Sequence, residues 1–162
     1  MVDMKDIFQV LNDLGIAYVE HKHPPLFTVE DSEKHYKQVK GGRSKNLFLR
    51  NRKGDRHYLI VIEASKQLNL TSLADVLEEV QLSFASPERL LKHLGLTPGS
   101  VSPFGLINDE EKAVVVIIDK ALLQYDRLNY HPNINTATLE IAQPDLGRFL
   151  EWSGQQVRYL DL

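Results

Sequence analysis

Three segments of this chain carry residue types that could act on a polar acyl or phosphate group. The first is Gly41-Gly42-Arg43-Ser44-Lys45-Asn46-Leu47-Phe48-Leu49, which sets a Lys and an Asn at the start of an apolar strand, shortly after a glycine pair. Neighbours along a strand face opposite ways, so one of Lys45 and Asn46 points inward unless a bulge re-aims it. An inward Lys beside a cavity is a natural partner for phosphate or carboxylate. The same pattern also describes a surface Lys lying along apolar neighbours. The second segment runs from Leu94 to Gly105, where Gly99 and Pro103 bracket Ser100, Val101 and Ser102. A row of backbone N–H groups in such a loop can hold a developing oxyanion without a charged side chain. An ordinary turn between helix and strand has the same composition. The third is Tyr130-His131-Pro132-Asn133-Ile134-Asn135-Thr136, which offers an imidazole, two amides and a hydroxyl for a small polar group, or equally for capping a loop.

Several other chemistries are excluded. There is no G-x-S-x-G elbow, no Walker loop and no G-x-G-x-x-G after a strand. Cysteine is absent, so there is no Cys nucleophile, disulfide or Cys-based metal site. His21 and His23 form an H-x-H pair, but no third ligand stands at a telling spacing, and no metal or cofactor is expected. No apolar run approaches the length of a membrane helix and the start shows no signal-peptide pattern, so a cytoplasmic location is expected.

The net charge of −3 argues against a bulk nucleic-acid binder, but the charge is unevenly spread. From Lys34 to Arg56 there are nine basic residues against Asp55 alone, so this segment carries +8 and the rest of the chain −11. A basic segment on an acidic body suits a docking face for a polyanion, although linear charge runs are often simply solvated.

The elements that would position these segments follow from periodicity and punctuation. Helices are expected over Asp3–Gly15, from Thr28 to before Gly41, over Leu68–Leu77, from Pro87 (with Ser86 as cap) to Gly95, over Lys120–Tyr125 and over Pro144–Trp152. Strands are expected over Ala17–Glu20, Ser44–Asn51, His57–Glu63, Leu82–Ala85, Lys112–Asp119, Asn135–Ile141 and Gln156–Asp161, and His21 to Pro25 reads as irregular. The β-branched run Ala113–Ile118 suits a strand buried on both faces. Without regular βα alternation, the pattern points to an α+β domain with a mixed sheet, partly barrel-like and flanked by helices.

The three segments, in this order, resemble the YbaK/ProX superfamily of aminoacyl-tRNA deacylases, which also forms the editing insertion of bacterial prolyl-tRNA synthetases. The resemblance covers nearly the whole chain, from Phe27-Thr28-Val29-Glu30 through Ser44-Lys45-Asn46-Leu47 and Gly99-x-x-x-Pro103 to the C-terminal strand. The loop Thr97–Asn108 and His131-Pro132-x-x-Asn135-x-x-Thr138 look like the branch of free-standing prolyl-tRNA editing proteins (ProX, also PrdX) rather than the cysteinyl-specific branch. It implies one editing domain over residues 1–162, which hydrolyses Ala-tRNA(Pro) after the synthetase has released it.

The resemblance also implies roles. Lys45 would hold the tRNA 3′ end and Asn46 would support that end or the acyl amino group. Backbone amides from Gly99 through Ser100 and Val101 to Ser102 would polarise the ester carbonyl, with Pro103 closing the loop. His131 would shape the aminoacyl pocket, and Thr28 and Val29 would line its wall. Lys40, Arg43, Arg50, Arg52 and Lys53 would follow acceptor-stem phosphates. The implied partners are the aminoacylated 3′ end and acceptor stem of tRNA, and prolyl-tRNA synthetase; neither membrane nor DNA is expected. Two alternatives stay open: an editor of another acyl group, such as Cys- or Ser-tRNA, and a non-catalytic module that binds tRNA or a synthetase.

Overall fold

The β-branched run is the middle of the molecule. A computed structural model describes residues 6–26, 29–36 and 41–162, leaving aside the side chains of 29, 32 and 36. In chain order the elements are α1 (Ile7–Asp13), β1 (Tyr18–Lys22), α2 (Val29–Tyr36), β2 (Ser44–Asn51), β3 (His57–Glu63), α3 (Leu70–Val76), β4 (Leu82–Phe84), α4 (Pro87–Leu94), β5 (Val114–Asp119), β6 (Arg127–Tyr130), β7 (Ala137–Ala142), α5 (Gln143–Ser153) and β8 (Val157–Leu160). Short 3-10 turns cover Pro103–Asn108 and Lys120–Gln124.

A five-stranded sheet has the order β4-β2-β3-β5-β8. The β2–β3 and β2–β4 pairs are antiparallel, and β3–β5 and β5–β8 are parallel. Alternation sorts the central strands onto two cores. Phe48, Leu59, Val61, Val116 and Ile118 pack with residues of α1, α4 and α5, while Leu49, Tyr58, Ile60, Ile62 and Ile117 pack with Leu73, Ala74 and Leu77 from α3 and its end. Covering both faces explains why β5 shows no polar alternation.

A second, antiparallel sheet has the order β1-β7-β6. A parallel bridge between Gly42 and Leu128 ties it to the start of β2. Gly42 N–H donates to Arg127 O at 2.8 Å, and Asn129 N–H donates to Gly42 O at 3.2 Å. A methyl group on Gly42 would lie 2.6 Å from the Tyr125 ring, so only glycine allows the two sheets to approach this closely. The mixed, helix-flanked and partly barrel-like β-structure therefore matches expectation, with edges left at β4, β8 and β1 among the described residues.

Three local expectations need correction. β1 extends through His21 and Lys22, because its ladder with β7 holds as far as Lys22 opposite Ala137 before the prolines end it. The Lys120 helix is a 3-10 turn whose cap is Asp119, with its carboxylate accepting from Ala121 N–H. β6 lies where no strand is expected. Its four residues are too few to show a period, and its existence depends on pairing with β7. The capping signals of α4 hold: Ser86 Oγ accepts from Arg89 N–H, and Gly95 ends the helix in the left-handed region.

Candidate functional site

Strand alternation decides between Lys45 and Asn46. Asn46 shares a face of β2 with Phe48, and its Nδ2 donates to Val101 O at 3.1 Å. Ser44 Oγ donates to Asn46 Oδ1 at 2.7 Å, which leaves the amide nitrogen for the loop. Lys45 lies on the other face, exposed, with Nζ donating to Lys66 O at 2.6 Å. The structure thus brings Asn46 to the Gly99–Pro103 loop, and Lys45 does not meet that loop.

The loop is held at both ends. Ser100 is 4% exposed, and its N–H and Oγ both donate to Thr97 O at 3.1 Å. Ser102 Oγ accepts from Phe104 N–H as the cap of the 3-10 turn that Pro103 opens. The Ser100 amide is therefore committed to the turn. A trans peptide points its C=O and N–H in opposite directions, so fixing Val101 O on Asn46 turns Ser102 N–H away from β2. Gly99 and Val101 N–H remain without a protein acceptor among the described residues. Gly99 is exposed and has φ +95°, in the region that favours glycine.

A third segment closes the site. Asn133 Nδ2 donates to Phe104 O at 3.3 Å. Asn135 Nδ2 donates to Leu26 O at 3.0 Å, and Leu26 N–H donates back to Asn135 Oδ1 at 3.3 Å. A methyl group on Gly99 would lie 3.6 Å from Asn135 Nδ2, so this loop lies against the first. Residues 24–26, 44–46, 99–104 and 131–135 thus form one locus.

Beside it lies a histidine group. His131 Nδ1 faces Ala137 O at 3.0 Å and so carries the hydrogen. His23 Nδ1 faces Pro24 O at 2.8 Å, and His23 Nε2 lies 3.1 Å from Thr138 Oγ1. His35 Nε2 lies 3.1 Å from the same hydroxyl. One hydroxyl donates once, so Thr138 donates to His23 Nε2 and accepts from His35 Nε2–H. Burial, then the charges of His23, His21 and His131, lower the His35 pKa to about 4. Burial also lowers that of His131, against its bond to Ala137. His21 instead pairs with Glu140, which Arg127 also holds. No cluster of three metal-ligating groups exists among the described residues.

The buried imidazole of His57 also has its pKa lowered to about 4, first by burial and then by His93, Arg89, Arg50 and Lys92. For His35 and His57 the folded pKa lies below the ordinary 6.5, so between about pH 6.5 and 4 the unfolded chain binds more protons. Their contribution to stability is present above pH 6.5 and is lost as pH falls toward 4. The thermal unfolding midpoint is expected to fall steadily across that window. A midpoint that is flat or rising from pH 6.5 to 4.5 would contradict the neutral, buried state of these rings.

Comparison with known proteins now decides the family. Residues 23–149 match the model of the aminoacyl-tRNA editing domain. The chain belongs to the aminoacyl-tRNA editing family. It is 40% identical over 152 residues to the prolyl-tRNA editing protein ProX of Acetoanaerobium sticklandii, covering 94% of this chain and 93% of that one. It is 34% identical over 149 residues to prolyl-tRNA synthetase associated domain-containing protein 1 of Danio rerio, covering 91% and 80%. Its fold matches the solved structure of hypothetical protein APE2540 with a TM-score of 0.74 at 19% identity, covering 94% and 97%.

Within this editing-family fold the remaining candidate residues are spread out. Thr28 and Lys40 lie outside the described residues, and Val29 opens α2. Arg43 is half-buried at the entry to β2, and its O accepts from Ala64 N–H. Arg50, Arg52 and Lys53 sit at the tip of the β2–β3 hairpin. No helix among the described residues is long and apolar enough to cross a membrane. The sequence assigns no role at this site to Ser44 or His23 and does not single out His35 or the Asn135–Leu26 pairing. Thr138 and Asn135 belong to the His131-Pro132-x-x-Asn135-x-x-Thr138 pattern, but their partners lie more than 100 residues away, so nothing local assigns them a role.

Proposed function

We propose that this protein is a trans-acting aminoacyl-tRNA deacylase that hydrolyses mischarged Ala-tRNA(Pro) to alanine and tRNA(Pro). The observation that carries the reading is near-full-length likeness to a prolyl-tRNA editing protein, together with the peg from Asn46 to Val101 O that fixes an amide-bearing loop. Water adds to the ester carbonyl, and the oxyanion is held by Gly99 and Val101 N–H. Collapse breaks the ester C–O bond; one proton of the added water goes to the ribose oxygen, which leaves as a hydroxyl, and the other goes to solvent as the released alanine carboxyl ionises. An aminoacyl ester is already activated, and the neighbouring ribose hydroxyl can position the water, so no protein nucleophile is required. Lys45 and Asn46 engage the tRNA 3′ end, His131 shapes the pocket with Thr28 and Val29, and the basic hairpin follows the phosphates together with Lys40 and Arg43. Prolyl-tRNA synthetase is the source of the substrate and a candidate partner.

The need for such an enzyme is physical. A synthetase pocket sized for proline rejects a smaller amino acid only by about 1–3 kcal/mol per missing methylene. A second pocket that admits alanine and excludes proline supplies the missing discrimination. The test is deacylation of Ala-, Cys-, Ser- and Pro-tRNA(Pro) at one enzyme concentration. Fast loss of alanine with proline spared is expected. Preferential loss of cysteine or serine would reassign the substrate, and no hydrolysis of any of the four would end the enzyme reading in favour of a binding module.

A further inference from the structure

The two guanidinium groups of Arg50, on β2, and Arg89, on α4, point at one spot. A methyl group placed on Gly54 would lie 3.1 Å from Arg50 Nη2 and 2.9 Å from Arg89 Nη2. Like charges gathered in this way repel unless an anion lies between them. Neither guanidinium forms an ion pair with a carboxylate among the described residues, and neither do Arg52, Lys53 and Lys92 nearby. The hairpin's own carboxylate, Asp55, is instead turned to Asn51 Nδ2 at 2.7 Å. Glu88, next to Arg89, is exposed.

Both guanidiniums are held in place by neutral acceptors. Arg89 Nη1 donates to Gly54 O at 3.0 Å and to His57 Nε2 at 3.1 Å. Arg50 donates through Nε to Asn51 O at 3.2 Å and through Nη2 to Arg52 O at 3.1 Å. His57 is itself packed between Phe48 and His93, with ring centroids 5.4 Å and 4.0 Å away. The fork of Arg89 is thus fixed before any ligand arrives, which lowers the ordering cost of binding. Its Nη2 is left for a tetrahedral oxyanion. Alternation puts Arg50 on the same face of β2 as Asn46. Four residues at about 3.3 Å each set the two roughly 13 Å apart along the strand.

We propose that Arg50 and Arg89 form a clamp for a single backbone phosphodiester of the tRNA acceptor strand, a few nucleotides from the acylated end. The clamp rests on the deacylase reading for the identity of its ligand. It adds a residue of α4 that lies outside the basic segment of the sequence.

The experiment compares the wild-type protein with Arg50→Gln, Arg89→Gln, the double variant and Arg89→Lys. Uncharged tRNA(Pro) binding is measured from about 50 to about 200 mM salt. Deacylation is followed on Ala-tRNA(Pro) and on alanyl-adenosine, which has no acceptor phosphates. The double variant is expected to weaken tRNA binding about tenfold and to flatten the slope of log Kd against log salt by about one unit. Its loss in kcat/KM on Ala-tRNA(Pro) should exceed its loss on alanyl-adenosine by a similar factor. Arg89→Lys keeps the charge but loses the fork, so it should recover only part of the affinity. Arg50→Gln disturbs only hairpin carbonyl contacts, so it decides the matter if Arg89→Gln fails to fold. A folded Arg50→Gln or double variant with wild-type affinity and salt slope would overturn the clamp. So would equal losses on the two esters. If the wild-type protein hydrolyses neither ester, the deacylase reading fails, and the salt series with uncharged tRNA still decides the clamp.

Discussion

Gly99→Val is expected to lower single-turnover deacylation of Ala-tRNA(Pro) by about 10²- to 10³-fold, the usual effect of losing an oxyanion donor. Space is not the obstacle, because the nearest atom to a new Cβ is Asn135 Nδ2 at 3.6 Å. The backbone is. At φ +95° a β-branched residue is strained by about 1–3 kcal/mol, and the loop relieves this by turning its peptides. Such a turn re-aims Gly99 N–H and pulls on Val101 N–H, both without a protein acceptor among the described residues. The Ser100 N–H lies on the peptide that follows Gly99 and its bond to Thr97 O loosens with it, but Ser100 Oγ still donates to Thr97 O and the Ser102 cap on Phe104 lies beyond the moved peptides, so the fold should persist with a modest drop in unfolding midpoint. Gly99→Ala, with the same strain sign and less bulk, should fall between. Turnover unchanged in a folded Gly99→Val protein would remove these amides from the reaction.

The sequence carried the central strands because burial writes itself into composition. Val114 to Ile118 have no polar partner to alternate with, and the hairpin of β2 and β3 is bracketed by a glycine pair and an Arg-Lys-Gly-Asp turn. It also established that Lys45 and Asn46 face opposite ways. Which of them faces the loop is settled by Val101, 55 residues on, and no local pattern encodes that contact. The same limit applies to Ser100. Its position in the loop suggested a free amide, but the turn to Thr97 uses that amide locally. β6 and the His35–Thr138–His23 arrangement exist only through long-range partners.

Charge was legible as a run but not as a surface. Lys34, inside the basic segment, pairs with Glu30 one helical turn earlier and adds little to a docking face. Arg89 and Lys92 lie outside that segment, yet α4 carries them toward the hairpin tip. A linear count therefore included a neutralised residue and omitted two that extend the cationic face.

Lys45→Ala is expected to remove about 10²-fold or more of the deacylation rate while shifting stability by about 0.5 kcal/mol or less. The stability half of the expectation follows from its surroundings: the side chain is exposed and its Nζ meets only Lys66 O. Lys66 Nζ goes to Asp119 Oδ1 and Leu162 O, and no carboxylate among the described residues pairs with Lys45. The rate half follows from what that leaves. An exposed ammonium held by one neutral carbonyl loses little on leaving it, and a phosphate or a reacting ester at the tRNA end offers a charge-assisted contact in exchange. Lys45 is the second residue of β2, adjacent to Asn46, and its flexible four-carbon stem gives the ammonium reach beyond its present contact with Lys66 O. Lys45→Arg should restore binding more than rate, because a broad fork replaces a compact charge. Asn46→Ala should act differently: it frees Val101 O and loosens the loop, so its unfolding midpoint should drop along with its rate. A folded Lys45→Ala protein with near-normal turnover would take Lys45 out of the mechanism and leave the 3′ end to Asn46 and Ser44.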